Sequence, residues 1–366
     1  MRAEAIVDLS AIKHNVAQLK EKSGTDLLAV VKADAYGHGL VRVAEAAIGA
    51  GASMVGVALL EEAITLREAG IKAPILAWLV QPGSDFARAI NLDIDLAVGS
   101  LKALREIQSA ATGKSARVHL ELDTGMTRGG FLGEWSELTA ADLQGLNIVG
   151  IFSHFARADE PEQEQNKEQL SKFKSMVSKL AEFGITDVAL HISNSAATLT
   201  NPAATFDMVR TGIAMYGLTP DVAMGSSRDF GLRPAMQLRA ALYLVKDVPA
   251  GTPVGYGATE VTSRDTKLGV VAMGYADGIP RVAHNAGIWF NGERAPIIGR
   301  VSMDQFVVDL GPASKAVSGD WVVVFGNGSH GEYTADDWGA ASGSINYEIV
   351  TRIGPRVPRI YSAHIY

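Results

Sequence analysis

The fold of this chain is most constrained by a regular alternation of short apolar runs with helical patterns over its first two-thirds. Eight runs each end at a polar residue or a glycine, as buried strands do. They cover residues 27–31, 54–59, 75–79, 95–98, 118–122, 148–152, 188–192 and 208–210. Helical patterns lie between them, for example over 40–50, 61–69, 101–111 and 162–183. Eight such units predict an α/β fold with a (β/α)8 TIM-type barrel; a doubly wound open sheet is the alternative, but it would not usually need eight strands in one unbroken alternation.

The last third of the chain has a different texture. From residue 218, glycine, proline and serine crowd a stretch with little periodicity, which indicates a connection between domains. Apolar runs then follow over 238–245, 268–273, 306–310 and 321–325, separated by glycine-bearing turns. We therefore predict a barrel over residues 8–230 and a mostly β domain over 231–366, which an N-terminal strand at 1–7 could join.

Composition excludes several classes of function. The 33 basic and 40 acidic residues give a net charge of -7 without a basic cluster, so nucleic acid is not an expected partner. The absence of cysteine excludes disulfides, thiolate metal sites and a cysteine nucleophile, and no metal site is expected. No apolar run has the length of a membrane span and no signal-peptide pattern is visible, so no membrane partner is expected and the cytoplasm is the default location.

A lysine directly after the first apolar run is the first candidate for chemistry. Lys32 follows Val31 and precedes a polar turn punctuated by Gly37 and Gly39, which places it at the carboxyl end of a predicted strand. An ammonium group that loses hydration there has a lowered pKa. The neutral amine is the form that condenses with an aldehyde to give a Schiff base. The alternative is a surface lysine on a loop, the usual situation for this residue type.

Two segments rich in small and hydroxyl residues follow the seventh and eighth predicted strands. They are residues 191–197, HISNSAA, and residues 209–217, VRTGIAMYG. Loops after strands seven and eight are the habitual phosphate site of this barrel, because backbone N–H groups and a helix N-terminus can meet an anion there. Either segment alone could be an ordinary turn, but the pair favours a phosphate site.

The sequence VKADAYGHG over residues 31–39 resembles the pyridoxal phosphate attachment motif of alanine racemases, and the resemblance extends over nearly the whole chain. It implies an isomerase that interconverts L- and D-alanine by a two-base mechanism and supplies D-alanine for peptidoglycan. Lys32 would hold pyridoxal 5'-phosphate as a Schiff base. The residues implied to contact the cofactor phosphate are Tyr36, Ser195, Gly212 and Ile213.

The resemblance also assigns residues around the cofactor ring. It implies that Arg210 faces the ring nitrogen, where most pyridoxal enzymes have a carboxylate. A guanidinium cannot accept that proton, so the ring is a weaker electron sink and reprotonation at Cα, hence racemisation, is favoured over transamination. His191 would hold Arg210, and His154 would lie against the ring face.

The segment ELDTGMTR over residues 121–128 resembles the part of the family in which an arginine binds the substrate carboxylate, a role this implies for Arg128. Many family members have a carbamylated lysine at the position of Glu121. A buried carboxylate needs a partner, so we expect Glu121 to pair with Arg128 and orient it.

Residues of the second domain are implied to complete the site. The segment GYGAT over residues 255–259 resembles the one that bears the second base, here Tyr256, which in the family reaches the lysine across a homodimer interface. Inversion needs groups on opposite faces of a planar intermediate, and Lys32 and Tyr256 would be that pair. Met303 would line the substrate side. Tyr275 and Tyr347 would lie at the entrance, with Tyr347 also among the cofactor contacts.

Three other functions share part of this pattern. A racemase for serine or a broader range of amino acids would keep the fold and cofactor. A non-catalytic pyridoxal phosphate carrier resembles only the barrel half, whereas this chain has the second domain with Tyr256 and Met303. Decarboxylases of the same two-domain fold usually have a cysteine in the C-terminal domain and a much longer chain, and this chain has no cysteine.

Overall fold

Eight buried parallel strands form a barrel in the computed structural model, which describes residues 1–363. The chain enters through β1 (Ala3–Asp8), which belongs to another sheet, and the barrel strands follow. They are β2 (Asp26–Val30), β3 (Met54–Val57), β4 (Ile75–Ala77), β5 (Ile94–Val98), β6 (Arg117–Glu121), β7 (Asn147–Phe152), β8 (Ala189–His191) and β9 (Met208–Thr211). Neighbouring strands are hydrogen-bonded in the order β8-β7-β6-β5-β4-β3-β2-β9, which gives seven strand pairs. The predicted (β/α)8 barrel is confirmed, and the doubly wound alternative is wrong.

The barrel closes between β8 and β9 through two backbone hydrogen bonds. Asp207 N donates to Leu190 O at 3.1 Å, and Arg210 N donates to Ser193 O at 2.9 Å. The first bond lies just before β9 and the second within it. Arg210, the third of the four residues of β9, is thereby held near the carboxyl end of the barrel.

Helices alternate with the strands. In the first two-thirds of the chain they are α1 (Leu9–Ser23), α2 (Lys32–Tyr36), α3 (Leu40–Gly49), α4 (Leu60–Glu68), α5 (Phe86–Asn91), α6 (Leu101–Ala110), α7 (Glu164–Glu182) and α8 (Ser195–Thr200). In α6, the apolar face is Leu101, Leu104 and Ile107, and the Ser100 hydroxyl caps the helix by accepting from Ala103 N at 3.2 Å. Within residues 1–363, no helix combines the length and apolar character needed to cross a membrane.

The interior of the barrel carries polar as well as apolar side chains. On β6, Arg117, His119 and Glu121 alternate with the buried Val118 and Leu120, so the three polar residues share one face of the strand. Space for His119 comes from the neighbouring strand β7. A methyl group at Gly150 would lie 2.1 Å from His119 Nδ1, so only glycine fits there.

The second unit is mostly β, as predicted. Its strands after β1 are β10 (Met236–Val248), β11 (Pro253–Val254), β12 (Glu260–Val261), β13 (Thr266–Val271), β14 (Gly287–Phe290), β15 (Glu293–Pro296), β16 (Phe306–Asp309), β17 (Trp321–Phe325) and β18 (Arg359–Ser362). Two helices, α9 (Ala335–Ser342) and α10 (Asn346–Thr351), complete it. The N-terminal strand β1 lies in this sheet, antiparallel to β10 and parallel to β18.

Each of the two units is built from more than one segment of the chain. The barrel unit comprises Ile12–Ala35 and Leu40–Leu232. The β unit comprises Met1–Ala11, the short segment Tyr36–Gly39 and the chain from Arg233. The turn that follows Lys32 therefore passes from the barrel unit into the β unit and back.

Candidate active site

The turn after β2 has an unusual backbone. Ala33, Asp34, Ala35 and Tyr36 have φ angles of 54°, 54°, 53° and 52°, so α2 is a left-handed turn built without glycine. Each such residue costs roughly 1–2 kcal/mol relative to the right-handed conformation. A hydrogen bond from Ala35 N to Val31 O at 2.8 Å holds the turn to β2. A second, from Leu40 N to Asp34 Oδ1 at 2.8 Å, holds its exit. Strain of this kind concentrates at functional sites.

Lys32 begins this turn and is partly buried. Burial lowers the pKa of its amine, the positive charge of Arg128 lowers it further, and Glu62 opposes both. The Nζ atom lies 5.9 Å from the centroid of the Trp78 ring. The neutral, nucleophilic amine is therefore present at a lower pH than for an exposed lysine, as the sequence analysis expected.

Arg210 lies buried on β9 with its guanidinium surrounded by acceptors. Its Nη1 donates to His191 O at 2.8 Å and to His191 Nδ1 at 3.1 Å. Its Nη2 donates to Ser153 O at 2.7 Å, to His154 Nδ1 at 3.1 Å and to Ile192 O at 3.3 Å. Burial lowers the pKa of Arg210 to about 10, although Glu121 opposes the shift, so the group stays charged at neutral pH. The predicted contact with His191 is present.

A chain of side chains runs from Arg210 across the barrel interior. His191 Nε2 is 2.9 Å from His119 Nδ1, and His119 Nε2 is 3.4 Å from Asp95 Oδ2. Asp95 also accepts from Arg117 Nε at 2.6 Å and from Arg117 Nη2 at 3.0 Å. Sequence reasoning missed Asp95 and His119. The signal for His119 was present, because a polar residue at every second position of β6 marks a shared face.

The hydrogen bonds in this series of side chains are donated in a fixed direction. Arg210 can only donate, so His191 must accept at Nδ1 and carry its proton on Nε2. His119 must then accept at Nδ1 and donate from Nε2 to Asp95. Burial and the charge of Arg210 lower the pKa of His191 well below its usual value, so the imidazole is neutral. Burial raises the pKa of Asp95, but hydrogen bonds from His119 and Arg117 outweigh it and leave the pKa lowered.

His154 is neutral for the same reasons as His191. Burial lowers its pKa well below the usual value, and the charges of Arg210, Arg128 and Lys32 lower it further. With Nδ1 accepting from Arg210, its proton lies on Nε2. Arg210 is therefore held between two uncharged imidazoles, which gives a buried cation acceptors without adding a second charge.

The loops after β8 and β9 meet at the hydroxyl of Ser195. Ser195 Oγ accepts from Gly212 N at 3.0 Å and from Ala214 N at 3.3 Å. Ser195 is also the first residue of α8, and Ile213 begins a short 3-10 turn. The hydroxyl from the loop after β8 and the backbone N–H groups from the loop after β9 thus lie together, and hydroxyl and N–H groups are the types of donor that bind a phosphate. The structure brings together three of the four residues predicted for the phosphate.

The loop that carries Arg128 is shaped by Asp123. Asp123 Oδ1 accepts from the backbone N–H groups of Gly125, Met126 and Thr127 at 2.8, 3.1 and 3.1 Å. Arg128 follows this turn and is exposed. Its charge nevertheless acts on Lys32, Arg210 and His154, because it lowers the pKa of all three. Arg128 is therefore near the other site residues with its guanidinium open to solvent.

Glu121 is not paired as the sequence analysis expected. Within residues 1–363, no ion pair at 4.0 Å or less joins Glu121 to Arg128. Burial raises the pKa of Glu121, and the charges of Arg210 and then Arg128 oppose the shift. Arg210 is thus the cation that acts on it more strongly. Arg128 lies at the end of the turn around Asp123 and is exposed, whereas Glu121 is partly buried.

Gln169 on α7 is a further residue that sequence reasoning missed. Its Nε2 donates to His154 O at 2.9 Å and to Thr124 Oγ1 at 3.2 Å, while its Oε1 accepts from Ala156 N at 2.9 Å. It therefore joins the loops after β6 and β7. The other buried residues of this helix are Asn166, Phe173, Met176 and Leu180. Gln169 lies on the same face of α7 as these buried residues, and a polar residue at that helical spacing was the signal present in the sequence.

Four residues predicted for the site belong to the β unit: Tyr256, Tyr275, Met303 and Tyr347. Tyr256 is 72% exposed and Met303 is 53% exposed. The Tyr275 and Met303 segments are joined, because Tyr275 N donates to Ser302 O at 3.1 Å and Ala276 N donates to Met303 O at 2.9 Å. The rings of Tyr36 and Tyr347 lie 6.2 Å apart at 45°.

No cluster of three or more His, Asp or Glu side chains in residues 1–363 is arranged to hold a metal ion. Fold and site together define a class of protein: a barrel that presents a partly buried, nucleophilic lysine for carbonyl chemistry, followed by a mostly β unit. Comparison with known proteins gives the family. Residues 7–220 match the model of the alanine racemase N-terminal domain, and residues 235–361 match that of the C-terminal domain.

Full-length relatives agree with these matches. The chain is 49% identical to the alanine racemase of Beutenbergia cavernae, with 98% of this chain and 97% of that protein aligned. It is 47% identical to the alanine racemase of Frankia casuarinae, over 99% and 96% respectively. The crystal structure of alanine racemase from D-cycloserine producing Streptomyces lavendulae superposes with a TM-score of 0.97 at 46% identity, covering 100% of this chain and 98% of that one. The chain belongs to the alanine racemase family, whose members are isomerases.

The direction of the imidazole chain can be tested with Asp95→Asn. Because Arg210 holds His191 Nδ1 as an acceptor, the new amide must turn its Oδ1 towards His119 Nε2. In protein labelled with nitrogen-15 at histidine, we expect the ring signals of His119 and His191 to keep the Nε2-protonated pattern.

Arg117→Gln is the matched control for this experiment. It also breaks the Asp95 ion pair, so both variants should lose about 1–3 kcal/mol of unfolding free energy. It leaves the carboxylate that fixes the proton on His119 Nε2, so its ring signals should match the unmodified protein. Ring signals of the Nδ1-protonated pattern in either variant would contradict the fixed direction of donation.

A second prediction concerns Glu121. Its pKa is raised in the folded state, so the folded protein binds the proton more tightly than the unfolded chain does. Stability should therefore fall as pH rises from the unfolded pKa of roughly 4.5 towards the raised value. Glu121→Gln removes this slope, so its unfolding free energy relative to the unmodified protein should increase with pH. The exposed Glu137→Gln should show no such trend, and parallel stability curves for both variants would exclude the effect.

Proposed function

We propose that this chain catalyses the interconversion of L- and D-alanine with pyridoxal 5'-phosphate bound at Lys32. The observation that carries the proposal is the pair of cations at the carboxyl end of the barrel. Lys32 has an amine of lowered pKa, and Arg210 is a buried guanidinium that can only donate. The relatives described above bear the name alanine racemase. D-alanine made in this way would serve peptidoglycan synthesis.

The residues present fit this cofactor. Members of the family use pyridoxal phosphate, and the donor set at Ser195, Gly212 and Ile213 suits its phosphate. Lys32 would bind the aldehyde carbon, and Arg210 would face the ring nitrogen. His154 would lie beside the ring, while Tyr36 and Tyr347 would contact the cofactor from the β unit. When bound, the cofactor supplies an electron sink for the bond between Cα and its hydrogen.

The chain's own residues bind the substrate and move the proton. Arg128 would bind the amino-acid carboxylate, since its guanidinium is exposed and has no ion pair within residues 1–363. Lys32 Nζ would remove or return the proton on one face of Cα, and Tyr256 Oη would do so on the other. Because Arg210 donates rather than accepts, it would leave the ring nitrogen of the bound cofactor without a proton and would favour return of the proton to Cα.

A homodimer would complete the site. Tyr256 and Met303 are exposed on the β unit, and we infer that each enters the barrel site of a second copy. Tyr256 lies between Gly255 and Gly257, whose φ angles of 71° and 77° suit glycine and present the ring on a tight turn. Tyr275 would stand at the entrance beside Met303.

The central test uses Lys32→Ala. Borohydride treatment of the unmodified holoenzyme, followed by peptide mapping, should place the cofactor on Lys32. The enzyme should exchange the α-hydrogen of either alanine enantiomer for deuterium in deuterated water. Lys32→Ala should lose the fixed adduct and slow exchange by at least about four orders of magnitude, the scale seen for loss of a covalent catalytic group. An adduct on another lysine would overturn the assignment.

The shared site is tested by mixing two inactive variants. Lys32→Ala and Tyr256→Phe proteins should regain activity after subunit exchange, because each heterodimer contains one site with both native groups. At equal concentrations, statistical exchange puts half of the subunits in heterodimers, so about a quarter of the native activity should return. Exchange is verified with differently tagged subunits. No recovery after verified exchange would show that both groups act within one chain.

A further inference from the structure

Glu62 joins two neighbouring loops at the carboxyl end of the barrel. It lies in the first turn of α4, after β3. Its Oε1 accepts from Ala33 N at 2.6 Å, and its Oε2 accepts from Ala58 N at 3.1 Å and from Leu59 N at 3.0 Å. Ala33 directly follows Lys32. One carboxylate therefore connects the peptide after Lys32 to the end of the adjacent strand.

The left-handed turn needs such an anchor at its start. Two of its hydrogen bonds, from Ala35 N to Val31 O and from Leu40 N to Asp34 Oδ1, lie within the same stretch of chain. Glu62 instead reaches the turn from the next strand–helix unit, and it does so through a side chain. A carboxylate that accepts three backbone N–H groups is also a stronger acceptor than a carbonyl. The start of the turn is thereby fixed relative to the barrel rather than only to itself.

We propose that Glu62 is a positioning residue for Lys32, which clamps the peptide after the lysine to the end of β3 and brings a negative charge to the start of the turn. The proposal rests on the proposed function, because it takes Lys32 as the lysine that binds the cofactor. It adds to that function a residue that sets both the position of the amine and the pH at which the amine becomes neutral.

The charges around Lys32 support an effect of Glu62 on the protonation of the amine. Burial is the main cause that lowers the pKa of the amine, Arg128 lowers it further from the loop after β6, and Glu62 raises it from α4. His154, from the loop after β7, is neutral and adds no charge. Removing the charge of Glu62 therefore lowers the Lys32 pKa further.

The experiment compares Glu62→Gln with Glu61→Gln. The full-length chain is freed of cofactor, and the rate of pyridoxal phosphate uptake is followed by absorbance as a function of pH. A glutamine side chain has one acceptor oxygen, and its amide group would face backbone N–H donors. In Glu62→Gln we expect the plateau rate to fall about tenfold and the pH midpoint to move lower. Glu61 is exposed in the same helical turn, so Glu61→Gln should match the unmodified protein.

The outcomes separate the possibilities. A plateau loss with an unmoved midpoint would show a merely structural role and overturn the proposal, as would a Glu62→Gln profile equal to that of Glu61→Gln. If circular dichroism shows that Glu62→Gln does not fold, Glu62→Asp is used instead. Its retained charge predicts an unmoved midpoint, and its shorter arm predicts a lower plateau; an unchanged plateau overturns the proposal. Borohydride mapping of the unmodified protein tests the role of Lys32 separately, so failure of the proposed function is recognised independently.

Discussion

The burial of the Arg210 guanidinium is the constraint on which the rest of the barrel site depends. A charge in an apolar interior is tolerated only with its donors satisfied, and Arg210 obtains acceptors from the loops after β7 and β8. Carboxylates would be the stronger acceptors, yet two of the five acceptor atoms are imidazole nitrogens. The two neutral imidazoles thus hold the guanidinium in place without neutralising its positive charge.

The choice of imidazoles has a consequence for the barrel interior. Each imidazole that accepts from Arg210 must carry its proton on the far nitrogen, so the far nitrogen of His191 needs its own acceptor. His119 supplies it, and its proton is in turn taken by Asp95. The polar face of β6 and the glycine at position 150 follow from this need, since they make room for a second imidazole. One buried cation therefore accounts for polar residues on β5, β6 and β8.

The sequence predicted the barrel well because buried parallel strands form continuous apolar runs that are easy to locate. Their ends were less certain. The predicted run 54–59 ends at Val57 in the structure, because the amides of Ala58 and Leu59 turn to Glu62 instead of continuing the strand. The left-handed turn at Ala33 was not predictable locally, since nothing in Ala-Asp-Ala-Tyr suggests positive φ angles. It exists because tertiary hydrogen bonds hold it.

Charge pairing was the least predictable part of the site. The expected burial of the Glu121 carboxylate suggested a pair with Arg128, but the pairing depends on the path of the intervening loop. Asp123 gathers three backbone amides and thereby sets that path. Loop conformations of this kind depend on a few hydrogen bonds that the spacing of charges does not reveal. The family resemblance indicated which residues to expect at the site, whereas their contacts required the structure.

The separation of Arg128 from Glu121 also links substrate binding to the lysine. In the free protein Arg128 lowers the pKa of both Lys32 and Arg210, so the three cations of the site repel one another. A substrate carboxylate bound to Arg128 would neutralise that charge and remove its effect on the amine. Had Arg128 already been paired with Glu121, its charge would have been compensated before the substrate arrived, and binding would change little at Lys32. Under the proposed function, an Arg128 without an ion pair to Glu121 would make the protonation of Lys32 respond to the presence of the substrate.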